Sequence, residues 1–413
     1  MPLQRSPFLS LISMITLSIL MFSCTPSEEK LAQKAQAIHQ EVLTLDSHTD
    51  TPLRMMRSGF DISKRNDPYA RGGKIDFPRM VEGGQDAAFF AVFLGQGPLG
   101  PDAYKRVKEQ ANAIFDVVHQ TLEKHPEQAE LALTPEDAYR LQEEGKRAIY
   151  IGLENGYPIG EDLSMVEAYY DMGARYITLS HTRNNQICDS STDEGGPLHN
   201  GLSEFGKEVV REMNRLGMMV DVSHISDKAF YDVLELSRAP VIASHSNARA
   251  ICDNPRNLND EMLLALAENG GVIQMCVLSS YVKDLPANAQ RDSAFAAMRA
   301  AFPDRELLSD DEMDQLRNMW DEINRKYPAP MATVSDLIDH IDHIVNLIGI
   351  DYVGIGTDFD GGGALEDCYD VTQMGNITLE LVRRGYSKKD IEKIWSGNFM
   401  RVFRENERIT GKS

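Results

Sequence analysis

Eight times along this chain a short apolar run meets a polar stop and then a stretch of helical period. The runs cover residues 42–45, 86–94, 148–152, 176–179, 218–222, 240–243, 271–276 and 352–356. Amphipathic stretches lie between them, among them 105–122, 165–172, 205–216, 228–236 and 261–268, with apolar residues recurring at three and four. Runs that are apolar at nearly every position belong to strands buried on both faces, and parallel pairing with helical crossovers produces such strands. The expected fold is therefore α/β, a (β/α)8 TIM-type barrel, with a doubly wound open sheet as the competing architecture.

A barrel makes a prediction that the sequence itself can test, because functional residues in that fold sit at the carboxyl ends of the strands. The first run leads into Asp46-Ser47-His48-Thr49-Asp50, where His48 and Asp50 project together from an extended chain. The third runs into Leu153-Glu154-Asn155-Gly156, and the fourth ends Leu179-Ser180-His181-Thr182. The fifth ends Val220-Asp221-Val222-Ser223-His224, the sixth Ile242-Ala243-Ser244-His245-Ser246, and the eighth Gly356-Thr357-Asp358-Phe359-Asp360. Imidazoles and carboxylates are the donors that divalent cations take, so their recurrence at one set of strand ends points to a metal site.

The remaining histidines fall elsewhere and act as controls. His340 and His343 are three apart on a helical segment and read as a solvated face, His39, His119 and His125 lie in polar helix-like segments, and His199 lies in a Gly-Pro-rich loop. The alternation breaks once: residues 281–328 carry no strand signal, and Arg305 to Glu312 open a charged helical segment. This reads as a helical insertion between strand 7 and strand 8, near the mouth of the barrel.

At 413 residues with 42% hydrophobic content the chain builds a large globular core. Its net charge of −21, with no Lys/Arg cluster, supplies no basic surface for a phosphate backbone, so no nucleic-acid partner is expected. Arg5 is the only charge before Glu28, and residues 8–22 form an apolar run of signal-peptide length that ends at Ser23-Cys24. This resembles a bacterial lipoprotein signal with Cys24 as the lipid anchor, although Met21 and Phe22 are bulkier than the usual pattern. The expected locations are a bacterial cell envelope membrane, or the periplasm or exterior without the lipid. Cys188, Cys252, Cys276 and Cys368 have irregular spacings and no Cys-x-x-Cys, so they look structural and their pairing stays open.

With these residues in hand, the chain resembles the membrane (renal) dipeptidase family of zinc peptidases, a branch of the amidohydrolase-type barrels. The likeness runs from about Leu45 to Phe403, excepting the insertion. Its most specific pieces are the segments 46–50, 151–154, 179–182, 214–224, 239–246, Arg256-Asn257, 356–361 and 397–403. The resemblance implies two Zn2+ per chain, with His48 and Asp50 on one, His224 and His245 on the other, and Glu154 bridging both. It also implies a metal-bridging hydroxide as nucleophile, His181 on the substrate carbonyl oxygen, Arg256 on the terminal carboxylate, and Asp358 as the proton carrier. Asp360 receives a supporting role only. Two departures bear on specificity: Leu53 stands where many relatives have a large aromatic, and Arg183 stands where many have a disulfide cysteine.

The resulting expectation is a zinc-dependent dipeptidase that hydrolyses free dipeptides, including those with a C-terminal D-residue. Residues 1–23 form the signal, 24–40 a tether and leading helix, and 41–413 one barrel domain. The partners are a small dipeptide substrate and a membrane reached through Cys24, and a homodimer stays open. The first rival is another hydrolysis at the same centre, of an N-acyl amino acid or a lactone; the second is a non-catalytic binding lipoprotein.

Overall fold

Eight parallel strands hydrogen-bonded in chain order form the staves of a barrel in the computed structural model of this protein, which describes residues 27–69, 73–302 and 309–410. They are β1 (Leu45–Thr49), β2 (Ala87–Phe93), β4 (Arg147–Glu154), β5 (Ala174–Thr178), β6 (Met219–Asp221), β7 (Ile242–Ala243), β8 (Val272–Met275) and β9 (Val353–Ile355). The short strand β3 (Ala129–Leu131), which the apolar pattern does not announce, pairs on β4 off this path. Closure between the last strand and the first is made just past their carboxyl ends. There the Asp50 amide donates to the Phe359 carbonyl at 2.8 Å and the Asp358 amide to the His48 carbonyl at 3.0 Å.

The first strand lies later than its apolar run suggests, because Val42 still caps the helix Glu28–Glu41. The polar residues Asp46 and Ser47 are strand residues, and they are tolerated inside because each is satisfied there. Thr357 donates to Asp46 through its amide at 2.8 Å and its hydroxyl at 2.5 Å, while the Ser47 hydroxyl donates to the Ser244 carbonyl at 2.7 Å.

The barrel interior divides into two levels. Its floor is aromatic: Phe89 stacks on Tyr150 at 4.7 Å and on Tyr176 at 5.2 Å, and the carboxyl-terminal helix Asn398–Ile409 seals it from below with Phe399 and Phe403. Gly152 is required here, since a Cβ at that position would fall into the Tyr176 ring. Outside the staves, a larger apolar cluster joins the surrounding helices to the outer strand faces. Burial of this kind, at roughly 25 cal/mol per Å2, is the main force holding the architecture.

Residues 281–328 contain the helices Ala289–Ala301 and Asp310–Lys326, whose Phe295, Met298, Leu316 and Ile323 form a small cluster of their own. Among the described residues, all four cysteines are separate buried thiols. His340 corrects its expected solvated setting: it is fully buried, accepting from the Ala248 amide at 3.1 Å and donating to the Val282 carbonyl at 2.7 Å. Asp339, Asp342 and His343 near it are polar, but a helix packed against the Ala248 loop and the helix Ser279–Val282 buries one of its faces whatever the other carries. His39 is buried too, bound to Thr378 and to the Gly83 carbonyl. The apolar run at 8–22 and Cys24 lie outside the described residues. No helix among the described residues is long and apolar enough to cross a membrane.

Candidate metal centre

Above the aromatic floor the strand ends deliver a cluster of imidazoles and carboxylates. His48 is the penultimate residue of β1, Glu154 ends β4, and His181, His224, His245 and Asp358 lie two or three residues past the ends of β5, β6, β7 and β9. Asp50 caps the five-residue helix that follows β1. Two of these positions are strained: His224 has φ 72° and Asp358 φ 59°, a left-handed backbone that costs an L-residue about 1 kcal/mol or more. The turns aim both side chains back over the barrel mouth.

Glu154 lies at the middle of the group. Its Oε2 is 3.3 Å from His48 Nε2, while its Oε1 is 3.2 Å from His224 Nε2, 3.5 Å from His245 Nε2 and 3.8 Å from His181 Nε2. His48 Nε2 is 3.9 Å from Asp50 Oδ2. Three overlapping donor sets follow, each with its atoms within 4.8 Å of one another: His48, Glu154 and His245; Glu154, His181 and His224; and His48, Asp50 and Asp358. A Cβ on Gly361 would run into the Asp50 and Asp358 carboxylates, so only glycine lets that pair close up.

The donors fit a divalent cation. His48 Nε2 and Asp50 Oδ1 are buried with no hydrogen-bond partner, and such atoms are costly unless something else satisfies them. His224 Nε2 and His245 Nε2 lie 2.8 Å apart, so two ligand-type nitrogens converge beside Glu154. The electrostatics agree. Burial, reinforced by Arg256 and neighbouring imidazoles, holds His224 and His245 well below the ordinary histidine range, so both are neutral donors. Burial alone would lower His48 as well, but the carboxylates of Glu154, Asp50 and Asp358 outweigh it and raise it to about 10. Burial also opposes charge on Glu154, yet His48, His224 and His181 hold its carboxyl well below the usual range. Asp358 is pushed up to about 7, chiefly by burial and by Glu154, with His48 and Arg256 acting against them.

The rim carries the remaining residues. His181 is the most open member, its side chain 19% exposed and its ring between Phe93 and His224 at 4.6 and 4.2 Å. Burial lowers its basicity. Arg256 is buried, donates to the His245 carbonyl at 3.1 Å and lies over the Tyr281 ring at 5.4 Å, and its Nε has no hydrogen-bond partner among the described residues. A buried guanidinium with an unpartnered Nε leaves a position suited to an anion. Asp360 does not enter the cluster; it binds Arg54, Thr51 and the Lys74 amide. Arg183 is exposed.

Sequence reasoning passed over Tyr176, Ser244 and Asp221, which hold the ligand-type rings from behind. Tyr176 OH lies 2.9 Å from His48 Nδ1, and Ser244 Oγ lies 2.8 Å from His245 Nδ1 and 2.6 Å from Asp221 Oδ2. Their signal was the polar atom inside an apolar run, visible at each position.

Comparison with known proteins agrees with this geometry. A family profile described as membrane dipeptidase (peptidase family M19) matches residues 32–413. Dipeptidase tcpJ of Claviceps purpurea is 32% identical over 373 residues, covering 88% of this chain and 77% of its own. Dipeptidase 3 of Homo sapiens is 31% identical over 398 residues, covering 94% and 70%. The crystal structure of the probable dipeptidase PvdM from Pseudomonas aeruginosa superposes with a TM-score of 0.80 at 32% identity, covering 92% of this chain and 99% of that one. A metallo peptidase from Rhodobacter sphaeroides, liganded with a phosphinate mimic of the dipeptide L-Ala-D-Ala, shares the fold with a TM-score of 0.70 at 22% identity, covering 88% and 99%.

Proposed function

The chain belongs to the membrane dipeptidase family, and on that premise we infer that it is a metal-dependent dipeptidase whose centre is the cluster around Glu154. The observation that carries the assignment of residues is the unsatisfied valence of the cluster, above all the orphaned His48 Nε2 and Asp50 Oδ1 beside a carboxylate that faces two groups of imidazoles. We propose zinc as the metal, two per chain, held by His48 and Asp50 on one side and His224 and His245 on the other, with Glu154 between them. Such a pair supplies Lewis-acid charge and makes a nucleophile available from water near neutral pH.

The chain's own residues then divide the work. Arg256 holds the terminal carboxylate of the substrate, the job suited to its planar fork and its unpartnered Nε. His181, the imidazole most open to the mouth, donates to the carbonyl oxygen as negative charge develops there. Asp358 accepts a proton and delivers it to the leaving amine, a role served by a carboxyl whose affinity for protons is raised by burial.

We also propose that the enzyme is exported and anchored through Cys24, and that it accepts a D-residue at the carboxyl-terminal position of its substrate. The test measures metal content and turnover together on purified protein, with L-L and L-D dipeptides beside N-acetylated and carboxyl-amidated versions. About two zincs per chain and cleavage of free dipeptides alone are expected. Two zincs with cleavage of N-acyl amino acids instead would move the substrate to the rival class; absence of bound metal would remove the centre.

A further inference from the structure

Resting on that two-metal reading, we propose that Asp221 and Ser244 form a hydroxyl relay that fixes the tautomer of His245, and that Tyr176 performs the same task for His48. The three are positioning residues that act through the histidines. The argument is one of donor bookkeeping. Asp221 collects four donors: the Ser223 amide at 3.0 Å and the Ser244 amide at 2.9 Å on Oδ1, and the Thr178 hydroxyl at 2.5 Å and the Ser244 hydroxyl at 2.6 Å on Oδ2. Because Ser244 spends its only hydroxyl proton on Asp221, its oxygen can only accept from His245 Nδ1, 2.8 Å away. The proton of His245 is therefore on Nδ1, and its Nε2 lone pair faces Glu154 and His224.

The same count applies on the other side. Tyr176 OH donates to the Ser47 carbonyl at 3.2 Å, so it accepts from His48 Nδ1 at 2.9 Å and leaves Nε2 as the nitrogen turned toward Glu154 and Asp50 for a metal. The two supports differ in kind. His48 leans on a neutral phenol rooted in the aromatic floor, whereas His245 leans on a carboxylate through a hydroxyl, and His224 Nδ1 has no partner. Asp221 also ties β5, β6 and the turn after β7 together, so one carboxylate sets both the strand-end spacing and the ring. Support of this type is worth about 10- to 100-fold in metal affinity.

The test is chelator competition for zinc on the purified enzyme, paired with imidazole 15N–1H correlation of the zinc-loaded form. Ser244→Ala should weaken one zinc equivalent by about 10- to 100-fold, leave the other in place, and lose the slowly exchanging Nδ1–H signal of His245. Tyr176→Phe should do the same to the other equivalent and to His48. Asp221→Asn should follow Ser244→Ala; should its lost backbone bonds prevent folding, Ser244→Ala decides alone. Ser223→Ala is the control, because that hydroxyl accepts from the His245 amide at 3.1 Å but does not hold its ring. Equal weakening by Ser223→Ala and Ser244→Ala, or two unchanged zincs in Ser244→Ala, would overturn the relay. Fewer than two zincs in the unmodified enzyme would instead overturn the two-metal reading on which it rests.

Discussion

His340 is as buried as His48, yet the two rings are in opposite chemical positions. Both nitrogens of His340 are matched by backbone, the Ala248 amide on one side and the Val282 carbonyl on the other. His39 is matched too, by the Thr378 hydroxyl and the Gly83 carbonyl. His48 has one nitrogen held by Tyr176 and the other without a hydrogen-bond partner among carboxylates. Burial thus does not mark a ligand in this molecule; a buried nitrogen turned to carboxylates with no hydrogen-bond partner does. The distinction has consequences that mutation can reach.

The largest effect should come from His224→Ala. It removes a neutral donor from the centre and leaves Glu154 facing fewer imidazoles. Loss of several kcal/mol of metal-derived stabilisation corresponds to a fall in kcat of about a thousandfold or more, with at least one zinc equivalent missing by elemental analysis. Retention of both metals with full turnover would end the distinction between the two kinds of histidine.

Arg256→Ala sharpens the comparison at the rim. A charge-assisted bond to a buried partner is worth roughly 2–5 kcal/mol, so kcat/KM on free dipeptides should fall by about 30-fold or more. On carboxyl-amidated dipeptides, already poor substrates, the same variant should lose little more. Equal losses on both would show that Arg256 supports the His245 carbonyl and nothing else.

Metal loading should depend on pH with a defined sign. Without metal, His48 holds its proton up to about 10, while a bound cation needs its coordinating nitrogen unprotonated. Zinc binding at pH 8 should release at least one proton per chain, and apparent affinity should rise by about tenfold per pH unit for each proton displaced. Calorimetry in buffers of different ionisation enthalpy measures the count. No proton release would mean that His48 is already bare, contrary to the field of three carboxylates around it.

Much of this was legible beforehand, and the reason is geometric. A parallel barrel places its staves in chain order, so apolar runs and the polar stops after them translate directly into one rim; His48, Glu154, His181, His224, His245 and Asp358 could be read in this way. The start of β1 could not, because the polar Asp46 and Ser47 become strand only through partners about 310 and 200 residues away, Thr357 and Ser244. The supports of the rings were hidden for the same reason. Tyr176 looks like core until Gly152 on the neighbouring strand makes room for its ring to cross the barrel toward His48. His340 was misjudged because the polar residues around it describe the other face of its helix, while the loop at Ala248 that buries it is some 90 residues distant.

That misjudged residue gives the smallest effect and the cleanest control. His340→Ala strips a partner from the buried Ala248 amide and the Val282 carbonyl, which should cost about 1–3 kcal/mol of stability. Burial holds His340 below the ordinary range, so the folded state stays neutral where the unfolded chain takes up a proton. Its contribution is therefore complete above about pH 6.5 and is lost as the pH falls below that value. Denaturant unfolding should show the variant less stable at pH 8 and less sensitive to acid than the parent, with zinc content and kcat unchanged. The Ala248 segment leads on to Arg256, so a modest rise in KM is compatible with this role. Loss of zinc on the scale of His224→Ala is not, and would place His340 on the ligand side of the division.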